Sequence, residues 1–326
     1  HDIRMVIEVK NTRDKNGSNQ FKLYTNLTQL QDYLLDLSPE DAPRIKPFIK
    51  AMRDMQKYDL PPIMDELPFF QSMIRGIKMS KYLSFLPILI KWSRLTNYTF
   101  GDQFKNPFLR EAFRLLYDHE EVKMLIMMMP LSFFDLKSCG YPLGGSYSFA
   151  KRFEESYLKL GGKIQYKRSV KEIIVEDDTV KGVVLRDGTT VPSDIVLSAS
   201  DWKFTVFDLL KGRYTNDKMN ALVEGKSLDV FYSVVQLSFG INLNMKSYPH
   251  FLRYPLTEDI HSPDGTVYSR MEIHLYHYDP VMSPENKTTL VVSFYTMNRD
   301  YWIELRNENR KKYREVKKEF TELVLA

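Results

Sequence analysis

The chain has 326 residues, of which 43% are hydrophobic and 27% charged, with a net charge of +4. This composition excludes a disordered chain and supplies apolar material for one or two domains with cores of their own. So small a charge does not imply nucleic acid, and the single cysteine, Cys139, excludes an internal disulfide and fits a reducing cytoplasm.

Strand patterns open the chain near residues 3–9 and 20–24, and a helical block then runs to about Leu136. At its start Ser38 suits an N-cap, Pro39 the first helical position, and Asp41 the acid of a capping box. The run 82–92 is apolar and aromatic, framed by Arg75, Lys78, Lys81 and Arg94. Such framing suits a helix at a membrane interface; the plainer reading is a core helix. No run of eighteen uncharged apolar residues is present, so no spanning helix is expected. Residues 124–134 carry four methionines among leucine, isoleucine and phenylalanine. Methionine fills irregular apolar space, so this run serves either core packing or the wall of a long apolar tunnel.

The next stretch, 141–201, is the most patterned. Gly144 and Gly145 lead into a helix whose Phe149, Phe153, Tyr157 and Leu160 recur at spacings of three and four, on one face. Gly161 and Gly162 close it, and 163–166 begins a strand. Val170, Ile173 and Val175 alternate, as do Val180, Val183 and Leu185, with Asp187 and Gly188 as a turn. The apolar run 195–199 suits a strand covered on both faces, as in a parallel sheet. A helix at 203–210 follows, then strands around 230–239, 266–276 and 289–296, and a last helix from Tyr301. The basic run 310–318 is interspersed with acids and reads as a solvated face.

Other motifs carry less. His274 and His277 are spaced H-x-x-H on a strand, where residues three apart face opposite ways, so no metal site is expected. Residues 224–227 end like a phosphate-binding loop, but Asn220 stands where that loop needs glycine.

The order of glycine pair, helix, glycine pair, three-stranded meander and apolar strand resembles the second half of flavoproteins with two dinucleotide-binding domains, in the phytoene desaturase and amine oxidase superfamily. Residues 21–27, 37–41 and 98–110 extend the resemblance. It implies an α+β fold with a substrate domain in two parts (1–138 and 202–326) around part of an FAD-binding domain (139–201). It also implies that the main chain at Val170, within the V-x-x-I pattern of Val170 and Ile173, lies against the adenine of FAD. By the same resemblance, Ser198 and Ala199 are expected to supply a second approach of main chain to the cofactor. The implied activity is hydride transfer between flavin and a C–C or C=C bond of an apolar polyene or isoprenoid, as in carotenoid desaturases, retinol saturases and polyene isomerases. No catalytic acid or base is identified. The G-x-G-x-x-G fingerprint that holds the pyrophosphate occurs nowhere in the sequence. The chain is therefore expected to be an internal piece of a longer enzyme that on its own binds FAD poorly or not at all. Two other readings stand beside this one: a flavin amine oxidase, and a non-enzymatic module for an apolar ligand or partner. The expected partner is an apolar small molecule, with no nucleic acid; peripheral membrane contact and oligomeric state stay open.

Overall fold

A computed structural model describes residues 2–58, 83–117, 122–226 and 232–325. Strands β1 (Ile3–Glu8) and β2 (Gln20–Tyr24) precede helices α1 (Leu27–Leu37), α2 (Ala42–Met55), α3 (Leu86–Arg94), α4 (Asn97–Gly101), α5 (Pro107–Arg114) and α6 (Met124–Asp135). Helix α7 (Gly145–Lys159) leads to β3 (Val170–Glu176), β4 (Thr179–Leu185) and β5 (Thr190–Pro192), a π-helical turn (Phe204–Leu209) and α8 (Asp217–Val223). The chain continues with β6 (Ser233–Ile241), β7 (Phe251–His261), β8 (Val267–Leu275), β9 (Thr288–Thr296), α9 (Arg299–Glu308) and α10 (Arg310–Leu325). Together they form two units, His1–Ser146 with Ser233–Ala326, and Tyr147–Tyr232.

The first unit is built on a six-stranded sheet in the order β2-β1-β7-β8-β9-β6, antiparallel except where β1 runs parallel to β7. Side chains alternate between its faces. On one face Met5, Ile7, Phe21 and Leu23 pack with the buried stripes of α1 and α2, and with Phe108, Leu109 and Phe113 of α5. Phe113 lies at the centre of an aromatic cluster, stacked on Phe104 at 4.7 Å and edge-on to Phe48 and Phe100. On the other face Leu237, Val292 and Phe294 pack against Phe320 of α10. Asp41 ties the helical block together: its carboxylate accepts the main-chain N–H of Lys105 and Asn106 and the hydroxyl of Ser38.

The second unit has the three-stranded antiparallel meander β3-β4-β5. Gly182 sits in β4 at φ +138°, where an added Cβ would lie 2.2 Å from the Val191 carbonyl oxygen. The position therefore requires glycine. Arg213 donates to the Val175 carbonyl, and Lys211 lies near Glu172, tying the segment after the π-helical turn to β3.

The α+β class, the meander and the strands of the larger sheet are as the sequence predicts, with several corrections. Residues 195–199 form no strand: Ile195 is 82% exposed and Leu197 93% exposed. A strand needs a neighbour to complete its ladder, and among the described residues this run has none. Residues 163–166 form loop and turn for the same reason. Helix α7 forms with Gly161 closing it at φ +89°, yet no residue of it is buried; periodicity makes a helix face without guaranteeing a partner for it. Ser38 caps no helix N–H and bonds Asp41 instead, within a 3₁₀ turn that precedes α2. The last helix is two, because Asn309 leaves the first and its side chain caps the second by accepting from the Lys312 N–H. Strand β7 is absent from the sequence reading because Pro255 interrupts it; the ladder to β8 shifts register between Pro255 and Ile260. Arg75, Lys78, Lys81 and Tyr82 lie outside the described residues, as do Ser227 and Val230.

Candidate functional site

One register row crosses all six strands of the first unit: Phe21, Ile7, Arg253, Glu272, Ser293 and Gln236 stand opposite one another in turn. Residues in one row share a face, so the row passes from apolar under α1 and α5 to polar beyond β7. Where it changes character, a cavity of about 340 Å³ opens. Its sheet wall includes Arg253, Glu272, His274 and Tyr295; its apolar wall includes Met127, Leu131 and Phe134 of α6 and Phe251 of β7. The methionine-rich run packs as core at Met124 and Met128, and Met127 faces core and cavity together.

The polar wall is a charge cluster centred on a nearly buried ion pair. Arg253 and Glu272 are both nearly buried, and the guanidinium donates to Glu272 Oε2 at 2.6 Å. The other carboxylate oxygen, Oε1, meets His274 Nε2 at 3.0 Å and accepts from Tyr295 Oη at 3.4 Å. Burial alone would push the Glu272 carboxyl up. The hydrogen bond from His274 and the charge of Arg253 outweigh it and hold the group below its ordinary range. An ionised carboxylate only accepts, so His274 donates to it through Nε2. The imidazole is fixed from its flat side too, stacked on Phe251 at 4.2 Å. Burial pushes the Tyr117 hydroxyl up, opposed by Arg253 over its ring and by Arg4.

The residues expected at the cofactor lie in the second unit. Val170 starts β3, opposite Leu185, and β3 is an outer strand of its sheet. Ser198 and Ala199 lie in the extended run, and Ser198 Oγ shares hydrogen bonds with Ser200 at 2.9 Å and Thr205 at 2.8 Å. Asp201 follows, capping the π-helical turn through the Phe204 N–H. Extended main chain without a ladder partner fits the flank of a dinucleotide, which recognises backbone N–H and C=O. A glycine-rich cradle for the pyrophosphate is absent from the sequence.

His274 and His277 do not converge: His277 Nε2 bonds the Tyr248 carbonyl, outside the cluster. Among the described residues no group of three metal-ligating side chains occurs, and no helix is long and apolar enough to cross a membrane. Sequence reasoning missed the charge cluster because its members come from three strands. A signal was present in β8, where Glu272 and His274 alternate with Met271, Ile273 and Leu275.

No protein-family model matches the chain. It is 27% identical over 159 residues to a phytoene desaturase of Fusarium fujikuroi, covering 47% of this chain and 27% of that protein. It is 26% identical over 185 residues to a chloroplastic prolycopene isomerase of Daucus carota, covering 54% of this chain and 28% of that one. The chain thus spans little more than a quarter of the length of these relatives. Among solved structures, an oxidoreductase from Methanosarcina mazei aligns with 95% of this chain and 66% of its own, at 15% identity and a TM-score of 0.48. The resemblance to the phytoene desaturase family rests on the sequence matches.

Proposed function

We propose that this chain is part of an FAD-dependent oxidoreductase that acts on C–C or C=C bonds of an apolar polyene or isoprenoid, as a desaturase, saturase or isomerase. The observation that carries the reading is the sequence similarity to phytoene desaturase and prolycopene isomerase. The cavity supports it, since one wall is apolar and the other holds fixed, ionised groups. In this reading residues 139–201 belong to the cofactor part, and 1–138 with 202–326 to the substrate part. The chain is then an internal portion of the enzyme.

Main-chain groups at Val170, Ser198 and Ala199 would hold the adenosine side of FAD, and the pyrophosphate cradle would come from sequence outside this chain. FAD, when bound, supplies the hydride acceptor or donor. The chain's own residues do the rest. Met127, Leu131 and Phe134 take the apolar chain and keep water from it, so that binding energy goes into orientation. Glu272, held ionised by the hydrogen bond from His274 and the charge of Arg253, fixes the imidazole at the cavity wall, where it takes up or releases a proton at a substrate carbon.

The test is the visible spectrum of the full-length gene product. Oxidised-flavin absorbance that survives gel filtration supports the reading. A colourless protein that stays colourless after incubation with FAD overturns it.

A further inference from the structure

Two arginines line the cavity, and they differ in one respect. Arg253 is neutralised by Glu272 at 2.6 Å. Arg4 has no carboxylate within ion-pair distance among the described residues, and its guanidinium stands between two rings, 5.3 Å from the centroids of Phe134 and of Phe251. The backbone brings it there. Strict alternation along β1 would put Arg4 on the face opposite Met5, but the β1–β2 pairing shifts register between Ile3 and Met5, and both residues line the cavity. A bulge of this kind re-aims a side chain, and such irregularities concentrate beside functional sites.

A half-buried cation flanked by aromatic rings is planar, oriented and partly desolvated, which favours a bidentate anion over water. Its charge is felt nearby: after burial, Arg4 is the next cause holding His250 down to about 4. Leu23, Met127 and Leu131 make one side of the cavity apolar, while Glu272 on the opposite side is already paired with Arg253. The cavity's volume lies at the lower end of the range of about 300–1,000 Å³ usual for small-molecule sites.

We propose that this cavity takes an amphiphilic acid, an apolar chain ending in a carboxylate that seats on Arg4. The inference rests on reading the cavity as the substrate site, and it narrows the substrate from a plain hydrocarbon to a polyene or isoprenoid acid. The probe is all-trans-retinoic acid, with its methyl ester and the corresponding alcohol as controls. Binding is read by quenching of tryptophan fluorescence in the full-length protein, at a pH where the acid is ionised.

The acid is expected to bind at least about tenfold more tightly than the ester or alcohol, the range of one charge-assisted pair. Arg4→Gln should bring acid and ester within about twofold of each other, and Arg4→Lys should fall between, since a lysine keeps the charge and loses the fork. Unchanged circular dichroism in both variants shows that the fold survives. Equal binding of acid and ester by the wild type, or a preference that survives Arg4→Gln, overturns the proposal, as does failure of all three probes to bind. The flavin spectrum is read separately. A yellow protein without acid preference sinks this inference alone, whereas a colourless protein that prefers the acid sinks only the flavoenzyme reading.

Discussion

The two units solve the same problem to different degrees. In the first, both faces of the sheet are covered, one by the helical block around Phe48, Phe100 and Phe113, the other by Phe320 of α10. In the second, only Ile173, Leu185 and Leu209 among the described residues are buried apolar side chains, while Phe153 is 64% exposed and Leu197 93% exposed. Helix α7 and the meander nevertheless form there, because caps, glycine turns and strand alternation act over a few residues. Local rules therefore made the second unit's elements, and packing made the first unit's core.

That contrast can be broken by substitution. The largest expected effect is Phe113→Ala in the first unit. The ring is fully buried among four other aromatics, so its loss should cost about 3–5 kcal/mol in urea unfolding. A cost below about 1 kcal/mol would mean that the cluster is not the core it resembles.

Next in size is Gly182→Ala in the second unit. The positive φ and the 2.2 Å approach to Val191 O leave no room for a methyl group, so a loss of about 1–3 kcal/mol is expected in that unit's own transition. An unchanged transition would show that β4 and β5 do not pair in solution as they do here.

A smaller effect distinguishes the cavity's surroundings by pH. Burial, then the charges of Arg4 and His277, hold His250 down to about 4 from its ordinary 6.5, so it stays neutral in the fold while the unfolded chain takes up a proton. Its contribution is fully present above pH 6.5 and lost as pH falls towards 4. With solvent screening discounted, it amounts to on the order of 1 kcal/mol. Glu272, held low, adds a loss only below its ordinary 4.5, as pH falls through its folded value. Unfolding free energies measured from pH 7 to 4 should decline, and His250→Asn should flatten that slope. An unchanged slope in the variant would assign the decline to other groups.

The smallest effect is Phe153→Ala. This residue is already 64% exposed, so thermal unfolding should shift by no more than about 0.5 kcal/mol. A large loss would show that α7 is covered in solution, and the contrast between the units would dissolve.

The sequence made legible whatever depends on short spacing. The strand at residues 20–24, the methionine helix and the meander could be read from alternation, helical period and glycine positions alone. What it hid depends on distant pairing. Residues 195–199 carry the apolar pattern of a buried strand, but pattern does not supply a neighbour. Arg253, Glu272 and Ser293 meet only because three strands stand in one register, and Arg4 joins them only through a bulge. Strand β7 was masked by Pro255, which alternation rules treat as a break. Val170, Ser198 and Ala199 remain part of the proposal, since their roles rest on the resemblance alone.

The most direct measurement fills the cavity and watches the cofactor. In the full-length protein, oxidised and reduced flavin would each be mixed anaerobically with a polyene, and flavin absorbance and polyene isomer composition followed in the wild type and in Met127→Trp. The account predicts polyene-dependent bleaching of the oxidised flavin, recovery of the reduced one or isomer conversion in the wild type, at least about tenfold slower in the variant, with the resting flavin spectrum unchanged. The same rate with the cavity filled would contradict it.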